Sequence, residues 1–159
     1  HITRRNQRVL EDYDVIFCCV DNPAARYDIS QVAVKRKIPL VDGGTTKNRG
    51  RVNTYVPDLT TCLDCQQHFK QNAARLKKRR EEVLAQGGCL YTEPGVVVPN
   101  AIIGSTMVAE AEHLLQKGRS DPLLHRRLEY QTFGSPKSFF VSQISSQSEK
   151  GCGCTSTRS

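Results

Sequence analysis

The first third of the chain alternates short apolar runs with one helical stretch. Residues 14–20 are almost continuously apolar, which is typical of a strand buried on both faces. Pro23 suits the first turn of a helix, which we predict over residues 23–36. A second apolar run, residues 38–41, stops at the turn signal Asp42-Gly43-Gly44. A strand, a helix and a strand in this order predict a βαβ unit and therefore a parallel sheet.

The remaining chain shows one more strand, a polar excursion, a long helix and two final strand-like runs. Residues 51–56 alternate between apolar and polar side chains and predict a third strand. Residues 62–88 are polar and predict a mostly helical excursion. Residues 99–116 are apolar on most sides, which predicts a buried helix. Residues 128–133 and 139–144 flank a Gly-Ser-Pro turn and predict an antiparallel hairpin.

Length and composition indicate one globular domain. The chain has 159 residues, enough for one domain with a core, and no apolar run reaches membrane-spanning length. Its only methionine is Met107, so we expect it to be part of a longer protein. The net charge is +7, and the densest run of basic side chains lies in residues 75–80. That run is typical of a solvated helix face or a surface for an acidic partner protein, and it lacks the aromatic residues and motifs of nucleic-acid binding.

The cysteines suggest a metal site. Seven cysteines, with clustered pairs, argue against a secreted disulfide framework and favour metal or redox chemistry in a cytoplasmic protein. Cys62 and Cys65 form one pair, and Cys152 and Cys154 form the other. Together they could supply the four thiolates of a closed tetrahedral zinc site. Zinc would also explain how the polar tail, residues 145–159, is tied to the domain. Unrelated surface thiols, or a redox pair at Cys62 and Cys65, are the alternatives.

Asp21 and Asn22 follow the first predicted strand directly. Ligands of open α/β sheets bind beyond the carboxyl ends of the strands, where these two residues lie. A carboxylate there can hold a magnesium ion that bridges nucleotide phosphates, and an amide can hydrogen-bond the nucleotide. The alternative is that Asp21 is only a turn or helix-capping residue.

Several motifs in fixed order resemble the ubiquitin-activating-enzyme-like superfamily of the ThiF, MoeB and HesA type. The resemblance covers nearly the whole chain. Its motifs are Cys19–Tyr27 (CVDNPAARY), Pro39–Thr45 (PLVDGGT), Gly50–Val52, Tyr55–Pro57, Thr61–Cys65 (TCLDC), Gly88-Cys89, Pro94–Gly104 (PGVVVPNAIIG) and Cys152–Cys154.

The resemblance implies an α/β fold with a doubly wound, Rossmann-like sheet, a C-terminal antiparallel hairpin and a zinc-tied tail. Residues 1–159 would be the C-terminal part of one ThiF-type adenylation domain, with residues 66–88 as its crossover excursion. Such enzymes bind ATP and magnesium and adenylate the C-terminal glycine of a ubiquitin-like or sulfur-carrier β-grasp protein that ends in Gly-Gly. The family's glycine-rich nucleotide loop would lie upstream of His1, so this chain alone should not adenylate a partner.

The resemblance also assigns site residues and an assembly. Asp21 matches the magnesium and ATP carboxylate, and Asn22 matches its ATP-contacting neighbour. Arg26 matches the arginine of the same motif and is expected to belong to the cofactor-binding site. Cys62, Cys65, Cys152 and Cys154 match the zinc ligands, although the family more often has Cys-x-x-Cys in the second pair. A homodimer or pseudo-dimer is the expected assembly.

Cys89 falls where related enzymes place a reactive cysteine that forms a thioester or persulfide. Gly87 and Gly88 precede it and would make the loop mobile. The nearby basic run would favour the thiolate. The alternative is an inert loop cysteine. Cys18 and Cys19 lie in the first predicted strand, where a packing role is the better interpretation.

Two other classes of function remain open at this stage. The chain could be a non-catalytic, zinc-stabilised module that docks a ubiquitin-like protein or a partner subunit. A zinc-dependent nucleic-acid binder would rest only on the net charge. Incubation with ATP and β-grasp proteins distinguishes the docking module from an adenylating enzyme. The salt dependence of nucleic-acid binding tests the nucleic-acid binder.

Overall fold

The structure is a computed structural model, and it describes part of the chain. The described residues are 7–10, 12–21, 23–69, 75, 78, 81, 82, 84, 85, 87, 97–117, 126–131, 139–143, 152 and 154. In chain order, the elements are a 3-10 helix (Gln7–Leu10), β1 (Ile16–Cys18), α1 (Pro23–Arg36), β2 (Leu40–Thr45), β3 (Arg49–Tyr55), α2 (Leu63–Gln67), α3 (Val97–Lys117), β4 (Arg126–Gln131) and β5 (Phe139–Gln143). Two predicted site residues, Asn22 and Cys89, lie outside the described residues.

The strands form one mixed sheet in the order β1-β2-β3-β4-β5. β1 and β2 are parallel and α1 connects them, which confirms the predicted βαβ unit. The prediction that the sheet is parallel is wrong for β2 with β3 and for β3 with β4, which pair antiparallel. Only residues 46–48 separate β2 from β3. So short a connection reverses the chain, whereas a parallel pairing needs a crossover of about a dozen residues or more.

β2 runs through the glycines that were expected to end it. Gly43 and Gly44 are inside the strand, paired with β3. A Cβ on Gly43 would lie 2.1 Å from the Met107 sulfur atom, and one on Gly44 would lie 2.7 Å from Nη1 of Arg26. The two glycines therefore allow close approach from both faces of the sheet, by α3 on one and by Arg26 on the other.

The two faces of the sheet carry different chemistry. On one face, Val41 and Val52 pack against Ile103, Met107 and Ala111 of α3. On the opposite face, strand register first aligns an apolar row of Ile16, Leu40 and Tyr55. Two residues further along each parallel strand, the aligned row becomes Cys18, Asp42 and Asn53. This polar row lies at the carboxyl end of the parallel pair.

Two predicted elements are less buried than their composition suggested. β1 is buried on one face only, since Phe17 is 44% exposed between buried Ile16 and Cys18. α3 extends slightly beyond the predicted helix, and its outward residues are more than half exposed. These residues are Val97, Val98, Val108 and Leu115. The apolar composition of a strand or helix therefore does not determine which of its faces the rest of the chain buries.

β4 and β5 pair antiparallel, with Leu128 opposite Val141. The residues that join these strands, 132–138, lie outside the described part of the chain. Among the helices that the structure describes, none combines the length and apolarity needed to cross a membrane.

Candidate functional site

The two cysteine pairs meet at one point. The sulfur atoms of Cys62 and Cys152 lie 3.5 Å apart, and those of Cys65 and Cys154 lie 3.7 Å apart. The pair at the start of α2, Cys62 and Cys65, has a sulfur separation of 3.8 Å. All four sulfur atoms lie within 4.8 Å of one another, and we call this set the tetracysteine cluster.

A short helix presents half of the cluster. Cys62 occupies the N-cap of α2 and Cys65 follows one turn later, so both sulfur atoms point to the same side. The helix stops at His68, whose backbone adopts the left-handed conformation with φ of 54°. The buried side chains of Leu63 and Phe69 anchor this segment in the core beneath α1. Phe69 also makes an edge-to-face contact with Tyr27, at a centroid distance of 6.1 Å.

The donor set fits a tetrahedral metal ion. Zinc–sulfur bonds of about 2.3 Å place the sulfur atoms of a tetrahedral site about 3.8 Å apart. The three separations of 3.5 to 3.8 Å given above match this value. They are far longer than the bond of about 2.05 Å in a disulfide. The hydrogen bond between Cys62 and Cys154 raises the pKa of Cys62, an effect that burial reinforces, and lowers that of Cys154 to about 5. The cluster can therefore hold a metal ion.

Asp21 lies at the carboxyl end of the parallel strand pair. It is exposed, three residues after β1 ends at Cys18 and two residues before α1 begins at Pro23. This is the position that the sequence predicts for a nucleotide-binding carboxylate. Asn22 and Cys89 lie outside the described residues, so their predicted roles stay predictions.

Arg26 lies beneath this strand end, where its side chain contacts Asp42 and two backbone carbonyl groups. It is only 8% exposed, and its Nε atom lies 3.1 Å from Oδ1 of Asp42. Its Nη2 atom donates hydrogen bonds to the carbonyl oxygens of Val20, at 2.7 Å, and Gly43, at 3.2 Å. The guanidinium group thus joins α1 to the ends of both parallel strands.

A polar network around Asp42 was not predicted from the sequence. Oδ2 of Asp42 accepts hydrogen bonds from Asn53, at 3.3 Å, and from Gln67, at 3.2 Å. Gln67 in turn accepts one from Arg51, and Asn53 accepts one from Arg127. The sequence signal for this network is Asp42 itself. It is an aspartate at the end of the second predicted strand, which neighbours the strand that precedes Asp21. Because two glycines follow this aspartate, the sequence alone predicts a turn there instead.

This network carries a net positive charge at the carboxyl end of the parallel pair, because its guanidinium groups outnumber the carboxylates of Asp42 and of Glu129, which lies 3.7 Å from Arg127. Three guanidinium groups, those of Arg26, Arg51 and Arg127, contact it. Burial and the neighbouring charge of Arg26 lower the pKa of Arg51. A site that crowds cations in this way attracts anionic ligands.

Cys18 and Cys19 differ in their surroundings. Cys18 is fully buried, as predicted for a packing residue, and burial together with the Asp42 charge raises its pKa to about 12. It therefore stays a neutral thiol. Cys19 is exposed, so the packing prediction is wrong for this residue, which follows the end of β1.

Curated relatives match short parts of the chain. The adenylyltransferase and sulfurtransferase UBA4 of Meyerozyma guilliermondii is 33% identical over 57 residues, which is 36% of this chain and 13% of UBA4. The molybdopterin-synthase adenylyltransferase of Haemophilus influenzae is 29% identical over 66 residues, 40% of this chain and 27% of that protein.

Solved structures share the fold over a longer stretch. Escherichia coli MccB, crystallised with AMPCPP and selenomethionine MccA, superimposes with a TM-score of 0.65 at 16% identity. The match covers 97% of this chain and 44% of MccB, so the chain spans less than half the length of that structure. At this identity, the similarity establishes the fold alone.

A sequence profile of the ThiF family matches residues 1–154, which is almost the whole chain. This match includes the strand-end segment around Asp21 and ends at the last cysteine of the tetracysteine cluster. The chain therefore belongs to the ThiF family.

Proposed function

We propose that the protein activates the C-terminal glycine of a ubiquitin-like or sulfur-carrier protein by ATP-dependent adenylation. The carrying observation is that this ThiF-family chain places Asp21 and a cluster of guanidinium groups at the carboxyl end of its one described parallel strand pair. That edge is where open α/β sheets bind nucleotides. The adenylyltransferase names of the curated relatives support the same reaction.

In the proposed reaction, an oxygen of the partner's C-terminal carboxylate attacks the α-phosphorus of ATP. The bond to the bridging oxygen breaks, and pyrophosphate leaves with that oxygen. Asp21 is the proposed ligand of the magnesium ion that accompanies ATP, and Asn22 and Arg26 belong to the same nucleotide site. The remainder of the site would come from chain outside this sequence, in a doubly wound sheet of which β1 and β2 form part.

The tetracysteine cluster is proposed to bind one structural zinc ion. Four protein ligands leave no open position for substrate, which is characteristic of structural sites rather than catalytic ones. Zinc would tie Cys152 and Cys154 to α2, because their sulfur atoms meet those of Cys62 and Cys65.

The proposed activity can be measured as ATP–pyrophosphate exchange in the complete protein. Exchange of labelled pyrophosphate into ATP should require a β-grasp protein that ends in Gly-Gly. The same partner without its two terminal glycines is the control and should give no exchange. Exchange that is independent of the partner's C-terminus would contradict the proposal.

A docking module is the second candidate, and the exposed apolar face of α3 favours it. Val97, Val98, Val108 and Leu115 lie uncovered on this helix, as they would at an interface with a partner subunit or a second copy. Homodimer or pseudo-dimer formation fits both candidates. Binding of a β-grasp protein by the complete protein, without any exchange, would select the docking function.

The proposed nucleophile for a second step is Cys89. Its thiolate would attack the carbonyl carbon of the partner adenylate, releasing AMP and forming a thioester. The substitution Cys89→Ala should spare ATP–pyrophosphate exchange, because adenylation uses no thiol, but should abolish the covalent adduct that thiols cleave. The exposed Cys19 offers a matched control, and Cys19→Ser should retain the adduct. Persistence of the adduct in Cys89→Ala would assign the nucleophile to another residue.

A further inference from the structure

Asp42 is a fully buried carboxylate for which the proposed reaction has no direct use. Its side chain has no exposure to solvent, and it lies in β2, paired with β1 on one side and with β3 on the other. A buried charge is costly unless it is paired and hydrogen-bonded, so its contacts show what it stabilises.

Each oxygen of Asp42 faces a different group of partners. Oδ1 lies 3.1 Å from Nε of Arg26. Oδ2 accepts hydrogen bonds from Asn53 of β3 and Gln67 of α2. Oδ2 is thus held by hydrogen bonds, and Oδ1 forms a buried ion pair with Nε of Arg26 that lacks hydrogen-bond geometry. A guanidinium group drawn to a fixed carboxylate on one side presents its remaining N–H groups in a defined direction.

The remaining donors of Arg26 point at the main chain of the Asp21 segment. Nη2 donates to the carbonyl oxygen of Val20 at 2.7 Å and to that of Gly43 at 3.2 Å. The Val20 carbonyl belongs to the same planar peptide group as the amide of Asp21. By holding this carbonyl, Arg26 sets the orientation of the peptide from which the Asp21 side chain departs. Val20 lies beyond the last β1 residue, where the strand ladder no longer holds the backbone.

We propose that Asp42 is a positioning residue that orients Arg26 and, through the Val20 carbonyl, fixes the segment that carries Asp21. Its functional consequence rests on the proposed adenylation, in which Asp21 binds the magnesium ion of MgATP. Arg26 then contributes to the nucleotide site by holding the backbone. Gln67, two residues after Cys65, contacts the same carboxylate, so α2 also supports this arrangement.

The structural half of the proposal is tested by hydrogen exchange. In Asp42→Asn, the shape is kept but the charge that holds Arg26 is lost. Amides in residues 19–25 should exchange at least about tenfold faster than in the unaltered protein, while amides of α3 keep their protection. Unchanged exchange in residues 19–25 would overturn the proposal. Equal acceleration in α3 would also overturn it, since Asp42 would then stabilise the fold in general.

Arg26→Lys provides a second variant that retains a positive charge beside Asp42 but loses the planar fork. It should show the same local acceleration, and it carries the test if Asp42→Asn does not fold. Asp58→Asn removes a carboxylate from an exposed ion pair with Lys37 and serves as the control. It should leave exchange in residues 19–25 unchanged.

The functional half is tested by the kinetics of ATP–pyrophosphate exchange in the complete protein. If the variants only reduce the fraction of molecules in which the Asp21 segment is correctly positioned, the apparent affinity for MgATP falls by the same factor. Saturating MgATP then restores the exchange rate. We expect KM for MgATP to rise about tenfold in Asp42→Asn, with kcat within about twofold. A lowered kcat with unchanged KM would contradict positioning. If the unaltered protein shows no exchange reaction at all, the proposed function fails, and the hydrogen-exchange result still decides the structural half.

Discussion

Replacing Asp21 by alanine in the complete protein should lower the rate of ATP–pyrophosphate exchange at least about 100-fold. The proposed role of Asp21 is to bind the magnesium ion that neutralises phosphate charge as the bond to the α-phosphorus forms. Such a metal contributes several kcal/mol to transition-state stabilisation, and each 1.4 kcal/mol corresponds to about a factor of ten in rate. Higher MgATP concentrations should not restore the rate, in contrast to Asp42→Asn.

The fold should tolerate the loss of Asp21, because the residue is exposed at the end of β1. We expect the free energy of unfolding of Asp21→Ala to stay within about 0.5 kcal/mol of the original value. Asp58→Asn is the matched control for loss of a surface carboxylate, and it should keep normal exchange. A near-normal rate in Asp21→Ala would refute the assignment of this residue to the nucleotide site.

Replacing Cys62 by serine should remove the metal and strongly destabilise the protein. Cys62 is fully buried in the tetracysteine cluster, so its loss leaves an incomplete ligand set in the core. Binding of a structural zinc ion contributes directly to folding free energy. A loss of several kcal/mol in a chain of this size should lower Tm by more than about 10 °C. Adenylation and any later thiol step should fail together.

Metal analysis and calorimetry on the same samples test this expectation. The freshly purified, reduced protein should contain one zinc ion per chain, and Cys62→Ser should contain little. Cys19→Ser, which replaces an exposed cysteine outside the cluster, should keep both zinc and Tm. Absence of zinc from the unaltered protein would contradict the proposed site.

The sequence predicted the tetracysteine cluster because its chemistry depends on local spacing. Cys62 and Cys65 lie one helical turn apart, and a tail pair such as Cys152 and Cys154 has few reasons to approach them except a shared ion. The structure brings the four sulfur atoms together as predicted, and the identity of the metal stays a prediction. The βαβ unit was predictable for a similar reason, since its periodicities are contained in one continuous segment.

The role of Asp42 could not be predicted because it depends on residues that are distant in sequence. Asp-Gly-Gly is typical of a turn when only its neighbours are considered. In the structure, Met107 and Arg26 approach the two glycines from opposite faces and require the absence of side chains there. The pairing of Asp42 with Arg26, Asn53 and Gln67 arises only when two helices and two strands have assembled.

The burial of α3 was overestimated for a related reason. Its sequence is apolar around most of its circumference, and an isolated pattern of this kind predicts contact on all sides. In this chain one face covers Val41 and Val52, while Val108 and Leu115 remain exposed on the other. The periodicity of a helix does not encode which other surfaces pack against each of its faces. That depends on how the elements of the fold assemble.

The most direct test of the proposed adenylation follows an oxygen atom. The complete protein is incubated with ATP, magnesium and a β-grasp partner whose C-terminal carboxylate carries ¹⁸O, and the released AMP is examined by mass spectrometry. If the carboxylate attacks the α-phosphorus, the new bond transfers one labelled oxygen to phosphorus, and cleavage of the carbonyl–oxygen bond in the next step leaves that oxygen in AMP. We therefore expect AMP with one ¹⁸O atom. Unlabelled AMP, formed at the same rate without the partner, would show that water attacks ATP and would contradict the proposed function.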